Sequence, residues 1–156
     1  MELSHLNEAG EARMVDVSSK GATSRKAVAH ASIKMNADTL DHILSGQIEK
    51  GDVFAAARIA GIMAAKRTPE LIPLCHPIML SHAAVDIKAQ LPDSVEIIAT
   101  VTCVGATGVE MEALNAACIS ALTIYDMCKA IDRGMEITDI YLVYKSGGKS
   151  GEFNRK

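Results

Sequence analysis

A short loop between two prolines carries the side chains of this sequence that are best suited to acid–base chemistry. Pro73 and Pro77 enclose Cys75 and His76. Each proline fixes its own φ and disfavours helix for the residue before it, so His76 is not expected inside a helix or a central strand. An imidazole on a rigid loop suits proton transfer near neutral pH. The alternative is a hydrogen-bonded core histidine beside a buried thiol, and these residues alone do not separate the two.

Two glutamates at the start of a long apolar helix form a second candidate. Thr107-Gly108-Val109-Glu110 fits a capping box, with the Thr107 hydroxyl at the N-cap. This pattern predicts a structural role for Glu110. Glu112 has no such role, and we interpret it as the better functional candidate. Because two glutamates would repel phosphate from this helix end, we favour acid–base or hydrogen-bonding work there.

The other end of the same helix carries Asp126 and Lys129, whose spacing places them on one face. A surface ion pair is the alternative, and such pairs contribute little to stability. However, Asp126 follows the uncharged segment 113–125, so we expect apolar surroundings in which Lys129 keeps it ionised. Glu112 lies fourteen residues away, about 21 Å along a helix axis. A site that uses both acids is therefore very extended or shared between subunits.

A few basic residues lie beside glycines or at expected element ends. Lys145 and Lys149 belong to a glycine-rich tail, Lys50 precedes a helix start, and Arg25 opens the first strand. Gly148-Lys149-Ser150 resembles half of a P-loop, but the first glycine of that motif is missing and no helix follows. We interpret the tail as a mobile lysine loop over phosphates, with plain disorder as the alternative. The pattern favours a polyphosphate ligand over a nucleic acid.

Composition limits the remaining classes of function. The 156 residues are enough for one domain with one sizeable core. A net charge of −3 and 3% aromatic residues argue against nucleic-acid binding. Four cysteines without CxxC spacing, no apolar run of membrane-spanning length and no signal-like start predict a cytoplasmic protein. Cys75, His76 and His82 match no usual zinc spacing, so neither a metal nor another cofactor is expected.

The hydrophobic periodicity predicts an α+β sandwich with helices on one face of a mostly antiparallel sheet. The predicted strands are 26–35, 82–89, 94–103 and 139–144, and the predicted helices are 38–46, 53–66 and 109–131. Residues 1–24 are predicted to be a mobile arm, 25–145 a single α+β catalytic domain, and 146–156 a flexible tail loop. A sheet covers only one face of the long helix, whereas its uncharged segment requires burial all round. We therefore predict a homo-oligomer.

Several motifs together resemble the cyclic pyranopterin monophosphate synthase (MoaC) family of molybdenum cofactor biosynthesis. They are Met14-Val15-Asp16-Val17-Ser18, 50–55 with 64–68, 72–77, 107–114, 121–130 and 145–151. The resemblance implies a ferredoxin-like fold with a four-stranded sheet, and a homohexamer built as a trimer of dimers with shared sites. It implies a lyase that converts 3′,8-cyclo-7,8-dihydro-GTP to cyclic pyranopterin monophosphate and releases pyrophosphate.

The resemblance also assigns roles to residues of this sequence. Substrate contacts fall on Leu74, Cys75, His76, Glu110, Met111 and Glu112. The acid–base role falls on Asp126 with Lys129 beside it. We predict Asp126, Lys129, His76 and Lys50 as the catalytic residues, with His76 taking part in proton transfer. The bases around the triphosphate are Arg25, Lys50 and Lys145. Two other hypotheses stay open at this point: a module that binds a nucleotide or pterin unchanged, and a structural protein whose apolar helix only drives assembly.

Overall fold

Strand β1, Thr23–Lys34, is the centre of the sheet in the computed structural model, which describes residues 9–156. Ala27, Ala29, Ala31 and Ile33 are fully buried and alternate with less buried neighbours. This period of two turns one face of the strand towards the core. β1 pairs antiparallel with β3, Ser94–Gly105, on one side and with β4, Glu136–Ser146, on the other.

Two further strands, β2 Leu80–Gln90 and β5 Phe153–Asn154, complete the sheet. Within residues 9–156 it has five antiparallel strands in the order β2-β3-β1-β4-β5. The four long strands follow the ferredoxin-like pattern, so the predicted fold class is confirmed. The strand count of four is wrong, because the chain turns through Gly147 and Gly148, both at positive φ, and returns along β4.

The described residues form four helices: α1 Ala37–Leu44, α2 Val53–Lys66, α3 Thr68–Leu71 and α4 Glu110–Cys128. Of these, α2 and α4 pack against the sheet and against each other. α2 begins as predicted, because the Asp52 carboxylate accepts the Ala55 amide at 2.9 Å and so caps the helix. α3 lies outside the predicted helices. α4 ends three residues before the predicted end at Ile131.

Small residues let α2 and α4 approach closely. A Cβ built on Gly61 would overlap the Ser120 hydroxyl and lie 2.9 Å from the Ala116 carbonyl oxygen. The Ser120 hydroxyl donates to the Ala57 carbonyl at 3.0 Å, so this buried polar group has a partner. The pair of helices therefore forms one rigid layer over the sheet.

That layer leaves apolar side chains exposed on its outer side. Leu122 of α4 is 52% exposed, and Ile59 and Met63 of α2 are 61% and 48% exposed. The sheet and α2 thus bury only part of the surface of α4. The predicted homo-oligomer requires such an exposed apolar surface, which a second subunit would cover. None of the helices described in residues 9–156 is long and apolar enough to cross a membrane.

Candidate active site

A cavity of about 400 Å³ lies at the start of α4. Three segments of the chain form its walls: the arm before β1, the proline-bounded loop and the first residues of α4. They contribute Val15, Val17 and Lys20, then Leu74, Cys75, His76 and Ile78, and finally Thr107, Gly108, Glu110, Met111 and Glu112. The first cavity therefore brings together the predicted loop residues and the predicted helix residues.

Glu112 is the buried acid of this cavity. It is 2% exposed, and among the described residues its Oε2 atom is the one buried side-chain polar atom without a hydrogen-bond partner. Burial raises the pKa of the Glu112 carboxyl, and the nearby Glu110 carboxylate raises it further. A protonated carboxyl carries an O–H donor, so Glu112 can offer a hydrogen bond to a bound molecule.

Two cysteine thiols lie close enough to Glu112 for its charge to change their pKa values. The pKa values of Cys75 and Cys103 are raised, first by burial and then by the Glu112 carboxylate. Since the thiolate is the nucleophilic form of cysteine, neither thiol is activated. Both thiols at this end of the cavity are therefore in the neutral S–H form.

His76 lies in the cavity wall rather than in the core. Its Nε2 atom is 2.7 Å from the Val15 carbonyl oxygen. Because a carbonyl only accepts, Nε2 carries the proton in this contact. His76 thus connects the proline-bounded loop to the arm before β1, and the core-histidine alternative is not what the structure shows.

A second cavity, of about 680 Å³, adjoins the first. The two share Lys20, Thr107, Gly108 and Glu110. The charged residues that line the second cavity are four cations, Lys20, Arg25, Lys145 and Lys149, and one carboxylate, Glu110. Its formal charge therefore favours an anionic ligand.

Arg25 supports the wall of this second cavity. It is 9% exposed, and its guanidinium donates to the carbonyls of Gly105 at 3.3 Å and Ala106 at 3.2 Å. A Cβ built on Gly148 would overlap the guanidinium, so only glycine allows this close approach. Arg25 therefore ties the turn before α4 to the glycine turn after β4.

The predicted capping box is wrong. α4 begins at Glu110 after Val109, and no side chain caps its first amides. The Glu110 carboxylate lies instead over Gly108, where a Cβ would overlap it, and forms an ion pair with Lys145 at 3.3 Å. Lys145 also donates to the Ser150 hydroxyl at 2.7 Å. Glu110 is thus a wall residue of both cavities and not a cap.

The C-terminal end of α4 carries a separate charged cluster. Lys129 Nζ donates to Asp126 Oδ1 at 2.6 Å, and Lys50 Nζ donates to Asp126 Oδ2 at 2.9 Å. These hydrogen bonds lower the pKa of Asp126 to about 2, so the carboxylate is ionised. The prediction of apolar surroundings is wrong for the single chain, since the Asp126 side chain is 54% exposed.

The predicted site residues thus fall into two groups. Arg25, Leu74, Cys75, His76, Glu110, Met111, Glu112 and Lys145 lie around the two cavities, whereas Lys50, Asp126 and Lys129 lie together at the far end of α4. Fourteen residues of continuous helix from Glu112 to Asp126 separate the groups by about 21 Å. One chain therefore does not bring all of them to one small molecule.

The residues by which the arm before β1 lines the first cavity were not predicted. The sequence indicated only a mobile segment there, yet Val15, Val17 and Lys20 line the first cavity. The motif 14–18 gave a signal, but no property of the residues located them beside His76. In residues 9–156, no three metal-ligating side chains are grouped closely enough to hold a metal ion.

Comparison with known proteins gives one consistent result. A sequence model described as the MoaC family matches residues 14–148. A cyclic pyranopterin monophosphate synthase of Roseiflexus sp. (strain RS-1) is 60% identical over 153 residues, which cover 97% of each chain. A protein of the same name from Desulfitobacterium hafniense is 55% identical over 156 residues, covering 100% of this chain and 96% of the relative. The Mycobacterium tuberculosis (strain ATCC 25618 / H37Rv) protein named cyclic pyranopterin monophosphate synthase 3 is 59% identical over 153 residues, covering 98% and 86%. The chain therefore belongs to the MoaC family.

Proposed function

We propose that this chain is a lyase of molybdenum cofactor biosynthesis that converts 3′,8-cyclo-7,8-dihydro-GTP to cyclic pyranopterin monophosphate and releases pyrophosphate. The names of its close relatives support the product. The observation that carries the substrate is the pair of joined cavities, one with a buried carboxyl that has an unpartnered oxygen and one lined mainly by cations. Such a pair suits a heterocycle joined through a sugar to a triphosphate.

The ring end of the substrate occupies the first cavity. Leu74, Cys75 and Met111 supply its weakly polar walls, and the Glu112 O–H donates to an acceptor atom of the ring. A donor of this kind loses little solvation on binding, because it is already out of contact with water. Glu112 therefore orients the ring, and His76 serves proton transfer beside it.

The triphosphate extends into the second cavity. Arg25 and Lys145 contribute positive charge there, with Lys149 on the adjoining glycine turn. Positive groups placed where negative charge develops stabilise a leaving group that carries more charge in the transition state. These residues therefore bind the substrate and assist the departure of pyrophosphate.

Asp126, Lys129 and Lys50 reach this substrate from a neighbouring subunit. The separation of about 21 Å along α4 prevents one chain from supplying both groups. The exposed apolar side chains Ile59 and Leu122 would be covered by such contacts. The assembly proposed is a homohexamer, a trimer of dimers, in the cytoplasm.

The chemistry needs proton transfers and one displacement at phosphorus. Protons move while the guanine-derived ring opens and closes again as a pterin, with ionised Asp126 as the base. A sugar hydroxyl then forms a bond to the α-phosphorus, and the bond from that phosphorus to the bridging oxygen breaks. Pyrophosphate leaves with the electron pair, and the hydroxyl proton passes to a base. Since the attack is intramolecular, the protein contributes mainly orientation.

Turnover of the cyclised nucleotide tests this function. The purified protein should release one pyrophosphate for each molecule of cyclic pyranopterin monophosphate seen by mass spectrometry. A module that only binds its ligand would return the nucleotide with unchanged mass. A structural protein would show no effect of His76→Ala or Lys50→Ala in any ligand assay.

Mixing of inactive variants tests the shared site. If Glu112 and Asp126 act from different subunits, a mixture of Glu112→Ala and Asp126→Asn chains should regain activity after reassembly. In an equal mixture, each of the two subunits that form a site has about an even chance of carrying the native residue that the site needs. About a quarter of the sites of a symmetric oligomer therefore contain both native residues. Light scattering should give a mass of about 100 kDa, six times the 16.6 kDa chain. A stable monomer, or mixtures that stay inactive, would contradict the shared site.

A further inference from the structure

The arm before β1 holds a lysine at the junction of the two cavities. Lys20 lines both of them, together with Thr107, Gly108 and Glu110. The other three belong to the turn before α4 and its first residue, so Lys20 is the one residue of the arm that lines both cavities. Any molecule that fills both cavities passes beside Lys20.

Two sets of contacts fix the arm in this position. The Val15 carbonyl oxygen is 2.7 Å from His76 Nε2, which ties the arm to the proline-bounded loop. A turn follows, in which the Asp16 carboxylate accepts the Ser18 amide at 2.9 Å and the Lys20 amide donates to the Val17 carbonyl at 3.0 Å. Three residues later the chain enters β1, which pairs with β3. Lys20 is therefore held between two anchored points.

The charge of Lys20 is not neutralised by the described part of the chain. No carboxylate in residues 9–156 forms an ion pair with it. Glu110, the acid at the junction, is paired with Lys145, and Asp16 is engaged by Ser18. A lysine in this position provides three free donors and one positive charge to a ligand.

We propose that Lys20 is a further substrate-contacting residue, which binds the α-phosphate of a nucleoside triphosphate-like substrate at the junction of the two cavities. This inference rests on the proposed function for the order of the substrate: ring in the first cavity, terminal phosphates in the second. The α-phosphate joins the sugar to the terminal phosphates, so it falls between them. Lys20 would then offset charge at the phosphorus where the sugar oxygen bond forms.

Calorimetric titration with three probes tests this assignment without any turnover. GTP, GMP and guanosine are titrated into the wild-type protein, Lys20→Gln, Lys20→Arg and the control Lys34→Gln. Lys34 is an exposed lysine at the opposite end of β1, 3.9 Å from Asp93. A hydrogen bond to a charged group contributes about 10- to 100-fold in affinity.

We expect Lys20→Gln to weaken the binding of GTP and of GMP by about 10- to 100-fold each and to leave the affinity for guanosine unchanged. Lys20→Arg should retain most of the affinity, and Lys34→Gln all of it. Loss of GTP affinity without loss of GMP affinity would overturn the α-phosphate assignment, and so would equal binding by all variants. Weaker binding of guanosine by Lys20→Gln would show that Lys20 positions the arm and does not act through a phosphate, which would also overturn the assignment. If the wild-type protein bound GTP no more tightly than guanosine, the protein would have no such phosphate site. A wild-type protein that binds these probes as expected but leaves the cyclised nucleotide unchanged would refute the proposed reaction alone.

Discussion

The two ends of α4 carry acids in opposite environments. At the start, Glu112 is 2% exposed, has an oxygen without a partner and has a raised pKa because of burial. At the end, Asp126 is half exposed, has a lysine on each oxygen and has a pKa of about 2. Burial thus favours the protonated form of Glu112, whereas the two lysines favour the ionised form of Asp126.

This difference separates the two roles that acid–base chemistry requires. Environments that push the pKa values of two carboxyl groups apart give one hydrogen-bond donor and one base at the same pH. Here a single helix carries both, but it holds them about 21 Å apart. If both carboxyls act in the proposed reaction, another copy of the chain has to bring its Asp126 to the cavity.

The largest expected effect comes from removing the ionised acid. Asp126→Asn should lower kcat by about 100- to 10,000-fold, because a positioned general base contributes that much. Pyrophosphate release under saturating substrate measures it. Asp38→Asn, at an exposed acid in the first turn of α1, is the matched control and should keep the wild-type rate. A near-normal kcat for Asp126→Asn would show that Asp126 is not the general base.

Substitution of the buried acid should have a smaller effect that depends on the replacement. Glu112→Ala should lower kcat/KM by about 10- to 100-fold, through loss of a hydrogen bond to the ring. Glu112→Gln keeps an N–H donor of similar shape and should stay within about 10-fold of wild type. If Gln were as poor as Ala, Glu112 would have to transfer a proton rather than hold the ring.

The pH dependence of stability should also distinguish the two acids. A raised folded pKa means that the Glu112 carboxyl destabilises the fold as pH rises from its unfolded pKa, about 4.3, towards the folded value. Glu112→Gln should therefore gain in Tm relative to wild type as the pH rises above about 4.3, by about 2–4 °C for each kcal/mol.

Asp126→Asn is the matched comparison in that experiment. The lowered pKa of Asp126 contributes stability that is present above 3.8 and lost as pH falls towards about 2. The Tm difference between this variant and wild type should therefore be the same at pH 5 and pH 8. The opposite result would contradict this account: a Tm difference from wild type that changes with pH for Asp126→Asn and stays constant for Glu112→Gln.

The smallest expected effect is on stability at the exposed end. Lys129→Ala should shift Tm by less than about 2 °C, since exposed ion pairs contribute little. Gly61→Ala provides a positive control in the middle of the helix layer. Its Cβ would overlap Ser120, so a fall in Tm of roughly 5 °C is expected from overpacking. A larger shift for Lys129→Ala than for Gly61→Ala would contradict this account.

Local signals predicted most of the fold. The Asp52 cap fixed the start of α2, and the alternation in β1 marked the core face of the sheet. Each of these signals is complete within a few residues of sequence. The fifth strand was missed because Phe153–Asn154 is only two residues long and depends on pairing with β4.

The site was less predictable because its contacts join distant parts of the chain. Lys50 and Asp126 are 76 residues apart, and His76 and Val15 are 61 apart. The capping box failed for the same reason, since Lys145 arrives from β4 and draws the Glu110 carboxylate away from the helix amides. Spacing along one helix correctly paired Asp126 with Lys129. The scattered basic pattern marked Lys50 and Arg25 as candidate phosphate ligands, but it did not place Lys50 beside Asp126.

The antiparallel pairing of β1 with β4 has a consequence for engineering. Lys26 is paired with Ser146, so the start of β1 and the end of β4 meet at one end of the sheet, beside the start of α4. The β2–β3 hairpin around Leu91 lies at the opposite end, where Lys34 pairs with Ser94. A circular permutant opened at this hairpin would keep both cavities intact and carry its fusion partners far from them, whereas tags joined near the start of β1 or the end of β4 would lie beside the second cavity.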